Sequence, residues 1–459
     1  MRRQRTRISE INKEREQKYK MKQSLQKKSQ SSVRGLFVRY TAQNILGMLG
    51  ISAYVLADTF FISRAEGTRG ITALNLVLPI YSLIFAIGAM LGVGSATRFA
   101  IHRARGEQEA DSYLGNALVT ALVVGIPFIL IGLWVPDQVV AFLGGNGEIV
   151  AVGTSYTRIF LLFAPAFMWN YICNAFVRND GNPSLAMAAT LSSSLFNIVM
   201  DYVLMFPLGM GMAGAALATA ISPIVGILIC CIHLLSPEHG FRIYWNMLSG
   251  RRVLLACQLG VSAFVGEISS GVTTVVFNFL ILRLAGNVGV AAYGVVANIA
   301  IVSTAIFSGI SQGTQPLFSE FYGKNDRAVV RQLRNLAMGT GFVVAACVLG
   351  LAVCLAEPAV GLFNSAGDAQ MTVYGVAGMR LYFIGYLFAG LNIVGTGYLS
   401  ATEVAGWAFA ASVLRGFVAI VASAFVMSWL FGMTGIWLAF TVAEGITFAV
   451  IAVAIKQHG

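Results

Sequence analysis

Charge is what this sequence has least of. Of its 459 residues, 11% are Asp, Glu, Lys or Arg and 57% are hydrophobic, whereas a soluble domain carries about 25% charged residues. The mean hydropathy is +0.75. Such a chain cannot clothe a water-facing surface, which excludes a soluble globular protein and leaves a polytopic membrane protein. Histidine is scarcer still. His102, His233, His239 and His458 are scattered at helix ends or loops, so the clusters that an integral membrane enzyme needs are missing. The six cysteines (Cys173, Cys230, Cys231, Cys257, Cys347 and Cys354) lie in apolar stretches without CxxC spacing. They read as packing residues, with neither disulfides nor a structural metal site expected. No glycine-rich loop ends in Lys-Ser/Thr, which excludes ATP as the energy source, and no cofactor is expected. Gly88-Ala-Met-Leu-Gly92-Val-Gly94 lies within an apolar span and reads as a close-packing face. No short charged-then-apolar leader precedes a small-residue cleavage site, so the N-terminus is expected to be retained.

What charge there is sits at one end. Residues 1–34 hold twelve Lys or Arg against Glu10, Glu14 and Glu16, a net +9 of the chain's +11. A basic arm can bind nucleic acid. Joined directly to a membrane helix, it is instead expected to be a disordered cytoplasmic orientation signal resting near anionic lipid, with no nucleic-acid partner.

Runs of about 20 apolar residues read as membrane-spanning helices. Twelve are present, at 36–63, 71–99, 113–136, 149–177, 184–206, 211–235, 254–282, 289–317, 332–356, 371–400, 405–430 and 433–455. With the N-terminus inside, the expected inner loops and C-terminus hold Arg98, Arg103, Arg105, Arg178, Arg242, Arg251, Arg252, Lys324, Arg327, Arg331, Arg334 and Lys456. The outer loops hold only Arg64, Arg69 and Arg283. That asymmetry fits twelve helices with both ends cytoplasmic.

An internal repeat divides them. Phe60-Phe-Ile62-Ser-Arg64-Ala-Glu-Gly67-Thr-Arg-Gly70 matches Phe279-Leu-Ile281-Leu-Arg283-Leu-Ala-Gly286-Asn-Val-Gly289. Gly211-Met-Ala-Gly214-Ala-Ala-Leu217-Ala218 matches Gly432-Met-Thr-Gly435-Ile-Trp-Leu438-Ala439 at nearly the same offset. The expected organisation is the arm 1–34, an N-lobe 35–236 with six helices, an inter-lobe loop 237–253 and a C-lobe 254–456 with six more. Six is even, so both halves enter from one side and the repeat is parallel. The fold class is therefore an all-α integral membrane protein, two pseudo-symmetric six-helix bundles around a central cavity.

Two carboxylates stand out inside these spans. An ionised carboxylate in hydrocarbon is costly and is rarely kept without a use. Asp58 lies late in helix 1. Asp201 lies two-thirds along helix 5, one helical turn after Asn197 and on the same face. Thr219, early in helix 6, reaches the same depth, while Asn174 and Asn170 on helix 4 fit that depth less well. Carboxylate, amide and hydroxyl oxygens suit a proton or Na⁺, with Asp58, Asn197 and Asp201 as the ligands Na⁺ would use. The competing reading is a hydrogen-bonded pair that only pins helices 1 and 5 together. Glu267 is the sole acid of helix 7, with Asn278 three turns on. Facing the cavity it would take a cationic substrate or a second ion; paired with Arg380 or Arg415 it would be structural. Fifteen Tyr, thirty Phe and sixteen Met suit a pliable cavity for aromatic cations, and equally suit packing.

These residues resemble a known family. Asp58-Thr-Phe-Phe-Ile-Ser, Pro79-Ile80, Gly92-Val-Gly94-Ser, Arg178-Asn-Asp-Gly181-Asn-Pro, Asn197-x-x-x-Asp201, Gly211-x-x-Gly214-Ala-Ala-x-Ala-Thr219 and Gly309-x-x-x-Gly313-x-Gln315-Pro316 look like the multidrug and toxic compound extrusion (MATE) antiporters. The likeness covers about 35–455, and its N-lobe pattern is similar to the DinF/MepA-like bacterial branch. It implies a cation-coupled site of Asp58, Asn197, Asp201 and Thr219 with Asn174 and Asn170, in a secondary active multidrug exporter. It also implies that H⁺ or Na⁺ moves inward while organic cations move outward across the inner (plasma) membrane. A monomer is expected. Asp201's repeat partner is an alanine, so coupling should centre on the N-lobe, with Glu267 resembling an acid of other branches. A lipid-linked oligosaccharide flippase of the same superfamily is the competitor, although few arginines lie within these spans.

Overall fold

The computed structural model describes residues 2–235, 248–364 and 367–458, with side chains from residue 32 onward except Thr68. Among the described residues there are helices and turns but no strands. This is what a lipid-embedded chain must do to satisfy its backbone groups. Among the described residues, nine helices are long and apolar enough to cross a membrane, and a bent pair makes a tenth. Two of the nine are themselves broken, at Gly286 and Gly432, so that twelve spans result. They are α1 (Ser32–Gly67), α2 (Arg69–Ala104), α3 (Gln108–Trp134), α4 (147–179), α5 (Pro183–Met205) and α6 (Gly211–Leu235) in the first half. The second half holds α7 (250–285), α8 (287–323), α9 (Arg327–Cys354), α10 (Ala369–Ala401), α11 (405–431) and α12 (433–458). The chain is a multi-pass membrane protein.

Two local features differ from the sequence reading. The α4 span bends by 49° between Leu162 and Ala164, because Pro165 lacks the N–H that would carry the helix through. The helix that becomes α1 begins at Arg2, so the arm expected to be disordered is helical. The segment has no Gly or Pro before Gly35, and its Lys, Arg, Gln and Glu are good helix formers. The arm's side chains through residue 31, and residues 236–247 of the expected inter-lobe loop, lie outside the described residues.

Backbone geometry reports the repeat independently of side-chain identity. Apart from Gly209, the described residues with positive φ pair as Gly67 with Gly286, Gly106 with Asn325, Gly144 with Gly367, Gly181 with Glu403 and Gly211 with Gly432, always 219 to 223 positions apart. The matched motifs now have a cause. Gly67 (φ 61, ψ −144) and Gly286 (φ 61, ψ −157) each turn the chain from one span into the next within a single residue. Only glycine takes that conformation without strain. Gly70 and Gly289 then pack their bare faces against Ile62 and Ile281, so the whole block recurs as one tight hairpin.

Twelve alternating spans place both chain ends on one side, the terminal face, and the Gly67 and Gly286 turns on the distal face. Among the described residues, the closest backbone approaches between halves lie toward the terminal face. A side chain on Gly94 of α2 would overlap the Ala256 carbonyl of α7, and one on Gly260 would overlap that of Met90. Gly309 and Gly313 of α8 likewise meet the α1 backbone at Ile45 and Tyr40. Gln315 donates to Thr97 Oγ1 at 2.5 Å, and Arg178 Nη1, which also donates to Asn44 of its own lobe, donates across the seam to Gln312 at 3.1 Å. The glycine-rich segments around Gly94, Gly309 and Gly313 are therefore the seam between lobes.

Candidate functional site

Asp58, Asn197, Asp201 and Thr219 converge in the N-lobe from α1, α5 and α6. Asp58 is 8% exposed and Asp201 fully buried. The one-turn spacing on α5 lets the Asn197 amide bridge two elements. Oriented to satisfy both neighbours, its nitrogen donates to Asp201 Oδ2 at 3.2 Å and its oxygen accepts from Thr219 Oγ1 at 3.3 Å. Asp58 Oδ1 and Asp201 Oδ1 are buried without a hydrogen-bond partner among the described residues. Two carboxylate oxygens so placed, close enough for Asp58 to act electrostatically on Asp201, are groups that a proton or a small hard cation satisfies. Among the described residues, no three of His, Cys, Asp and Glu converge as a transition-metal site.

The other candidates fall elsewhere. Asn174 donates to Thr190 Oγ1 at 3.1 Å, and Thr190 precedes Asn197 by two turns, roughly 10 Å along α5. Asn170 packs on Gly226, two turns past Thr219, with its oxygen buried and unpartnered among the described residues. Both asparagines thus lie toward the terminal face and do not touch the carboxylate cluster. Asn278 is half-exposed on α7, three turns from Glu267.

Glu267 is not in an ion pair with either arginine that could have made it structural. Arg380 binds Glu357 at 3.1 Å. Arg415 Nε donates to Glu444 Oε1 at 2.5 Å, and Asn392 Nδ2 donates to Glu444 Oε2 at 2.7 Å. Glu267 instead accepts from the Tyr171 hydroxyl of the opposite lobe at 3.3 Å. That contact places it between the lobes.

Aromatic side chains that sequence reasoning left unassigned join the two acidic sites. Tyr54 stands in the field of Asp58, Glu267 and Asp201, and its hydroxyl lies 3.4 Å from that of Tyr81. Tyr81 stacks on Phe85 and Phe160 at 4.3 and 4.5 Å, and Phe85 meets Tyr171 edge-on at 5.6 Å. The wall thus runs from the N-lobe carboxylates to Glu267. A signal existed in the one-face spacing of Phe160, Phe167 and Tyr171, but lipid-facing helices show the same pattern. In the C-lobe, the repeat positions of Asp58 and Thr219 are Phe277 and Phe440, which pack with Tyr382 at 6.0 and 4.3 Å. The polar site of one lobe is an aromatic core in the other.

Comparison with known proteins follows the same division. The MatE family model matches residues 44–203 and again 263–426, one stretch in each half. Multidrug export protein MepA of Staphylococcus aureus (strain MRSA252) is 26% identical over 412 residues, covering 89% of this chain and 90% of its own. The protein of the same name from Staphylococcus saprophyticus is 28% identical over 424 residues, covering 91% and 92%. Among solved structures, a multidrug resistance MATE family transporter of the MOP superfamily in an outward-facing conformation superposes with a TM-score of 0.86 at 22% identity, covering 92% of this chain and 95% of that one. A MOP superfamily transporter from Pyrococcus furiosus superposes with a TM-score of 0.84 at 22% identity, covering 93% and 96%. With one family stretch in each pseudo-symmetric half, the chain belongs to the MatE family.

Proposed function

We propose that this protein is a secondary active multidrug exporter that exchanges H⁺ or Na⁺ moving inward for organic cations moving outward. The observation that carries this reading is the pair of buried carboxylate oxygens of Asp58 and Asp201 that have no partner among the described residues. They lie in one lobe of a two-bundle protein joined toward its terminal face. Export by the similar MepA proteins supports the substrate class. The terminal face is cytoplasmic in this reading, since it carries the arginine-rich loops. The structure is then outward-open, and a cation arriving from outside meets the N-lobe site first. Binding there neutralises the carboxylates, changes the packing of α1 and favours substrate release, after which the lobes rock and the cation leaves inward. Glu267, with Tyr171 and the aromatic wall, takes the cationic substrate or a second ion. The protein acts as a monomer in the bacterial plasma membrane, its basic arm near anionic lipid. A flippase for anionic lipid-linked sugars is less well served by this cleft, which presents acids and aromatics. Family membership sets aside an enzyme.

The test is ion-driven export of an ethidium-like dye from proteoliposomes. Asp201→Asn keeps size and removes the charge, and should lower export by roughly tenfold or more while the protein stays folded. Undiminished export in that variant sinks the N-lobe coupling. Imposing a pH gradient and a Na⁺ gradient separately identifies the ion.

A further inference from the structure

The turn between α10 and α11 holds a residue in the wrong conformation for its type. Glu403 has φ 62, a left-handed backbone that a side chain with a Cβ disfavours. Its counterpart in the other half is Gly181, for which such a conformation is strain-free. A strained residue persists only where its surroundings hold it. Here the hold comes from the opposite lobe. The Glu403 carboxylate pairs with Arg98, on the last turns of α2, and with Arg105 just beyond it at 3.3 Å. Arg98 also donates from Nε to the Leu255 carbonyl of α7 at 3.4 Å. The side chains of Arg98 and Glu403 are 15% and 21% exposed, so the pair is partly shielded from solvent screening.

The equivalent turn of the N-lobe makes the complementary contact within its own lobe. Asp180, beside Gly181, pairs with Arg103 on the same end of α2 and lies 2.7 Å from His233 Nε2. The end of α2 is thus clasped by two repeat-related turns, one belonging to each lobe. Only the Glu403 side of the clasp has to part when the lobes separate at this face.

We propose that Glu403 is a positioning residue of the transport cycle, the C-lobe half of an ionic latch with Arg98 and Arg105 that holds the terminal face shut and opens each time the lobes rock. The latch rests on the alternating-access reading above, but not on which ion or drug is carried. It accounts for an acid at a position shaped for glycine, because glycine would leave the two arginines without their partner across the seam.

The experiment uses the full chain with its six cysteines replaced, after dye export has verified that background. A single reporter, Thr41→Cys, sits at the seam against Gly313 and is 4% exposed. Maleimide applied from the terminal side should label it slowly in the parent and roughly tenfold faster in Glu403→Gln, the loss expected for one shielded charge-assisted contact. Glu403→Gly should accelerate labelling to a similar extent although it relieves the backbone. In an Arg98→Gln, Arg105→Gln background, adding Glu403→Gln should change nothing further. Independently, Arg98→Cys with Glu403→Cys, bridged by a short cleavable bifunctional thiol reagent, should stop dye export until the bridge is reduced. Equal labelling of parent and Glu403→Gln, or full export by the bridged protein, overturns the latch. A reporter that stays unlabelled under every ion gradient in a transporting protein overturns alternating access at this seam, and the latch with it.

Discussion

At the scale of single residues, three acids inside spans have three different surroundings, and these separate use from support. Among the described residues, Asp201 keeps an oxygen without a partner, the Glu267 carboxylate has only a tyrosine hydroxyl, and Glu444 is held by Arg415 and Asn392. Removing the carboxylate of a buried ion pair strands its partner's charge, at about 3–5 kcal/mol. Glu444→Ala should therefore lower the melting temperature of the purified protein sharply. Glu267→Gln should change stability by only about 0.5 kcal/mol while weakening export of cationic dyes. The reverse ranking would make Glu267 the structural acid. Asp58, Asn197 and Asp201 were legible in the sequence because a carboxylate in an apolar run is conspicuous and a four-residue spacing fixes a shared face. The pairing of Glu444 was not, since its partners come from α10 and α11, far away in sequence. Tyr54, Tyr81 and Tyr171 were hidden among aromatics that hydrophobicity alone explains.

At the scale of elements, twelve spans could be counted from apolar runs because each must match the bilayer, and turn positions followed from the repeated glycines. The bend in α4 escaped notice, as a proline within an apolar run can be absorbed or can break the helix depending on what packs there. Here Pro165 fills the space left by Gly125 on α3. The hairpin glycines permit a clean test. A Cβ on Gly67 would meet nothing within 4 Å, so Gly67→Ala introduces backbone strain alone. It should destabilise by about 1–3 kcal/mol, read as a lowered melting temperature. Gly339→Ala, in α9 and also facing open space, should be neutral or stabilising by about 0.5–1 kcal/mol. Equal effects would mean that the repeat's turns are not conformationally constrained.

At the scale of the whole molecule, the glycines that do meet obstacles determine which state the lobes can adopt. The sequence reading identified the stretch from Gly88 to Gly94 as a packing face, but only the structure shows that Gly94 packs on the other lobe. The contact is reciprocal, with Gly94 on the Ala256 carbonyl and Gly260 on that of Met90, and both obstacles are backbone that cannot rotate aside. Within a lobe such an overlap would be relieved by distorting the fold, as at Gly214 against the Leu204 backbone in the α5–α6 hairpin. Between lobes it can be relieved by rocking, which alternating access already requires. Gly94→Ala should therefore leave each bundle folded and exclude the terminally closed state. The Thr41→Cys reporter should then label rapidly without any ion gradient, dye export should fall to background, and the melting temperature should drop less than in Gly214→Ala. Slow labelling with a large loss of stability would place Gly94 in the fold of the protein rather than in its motion.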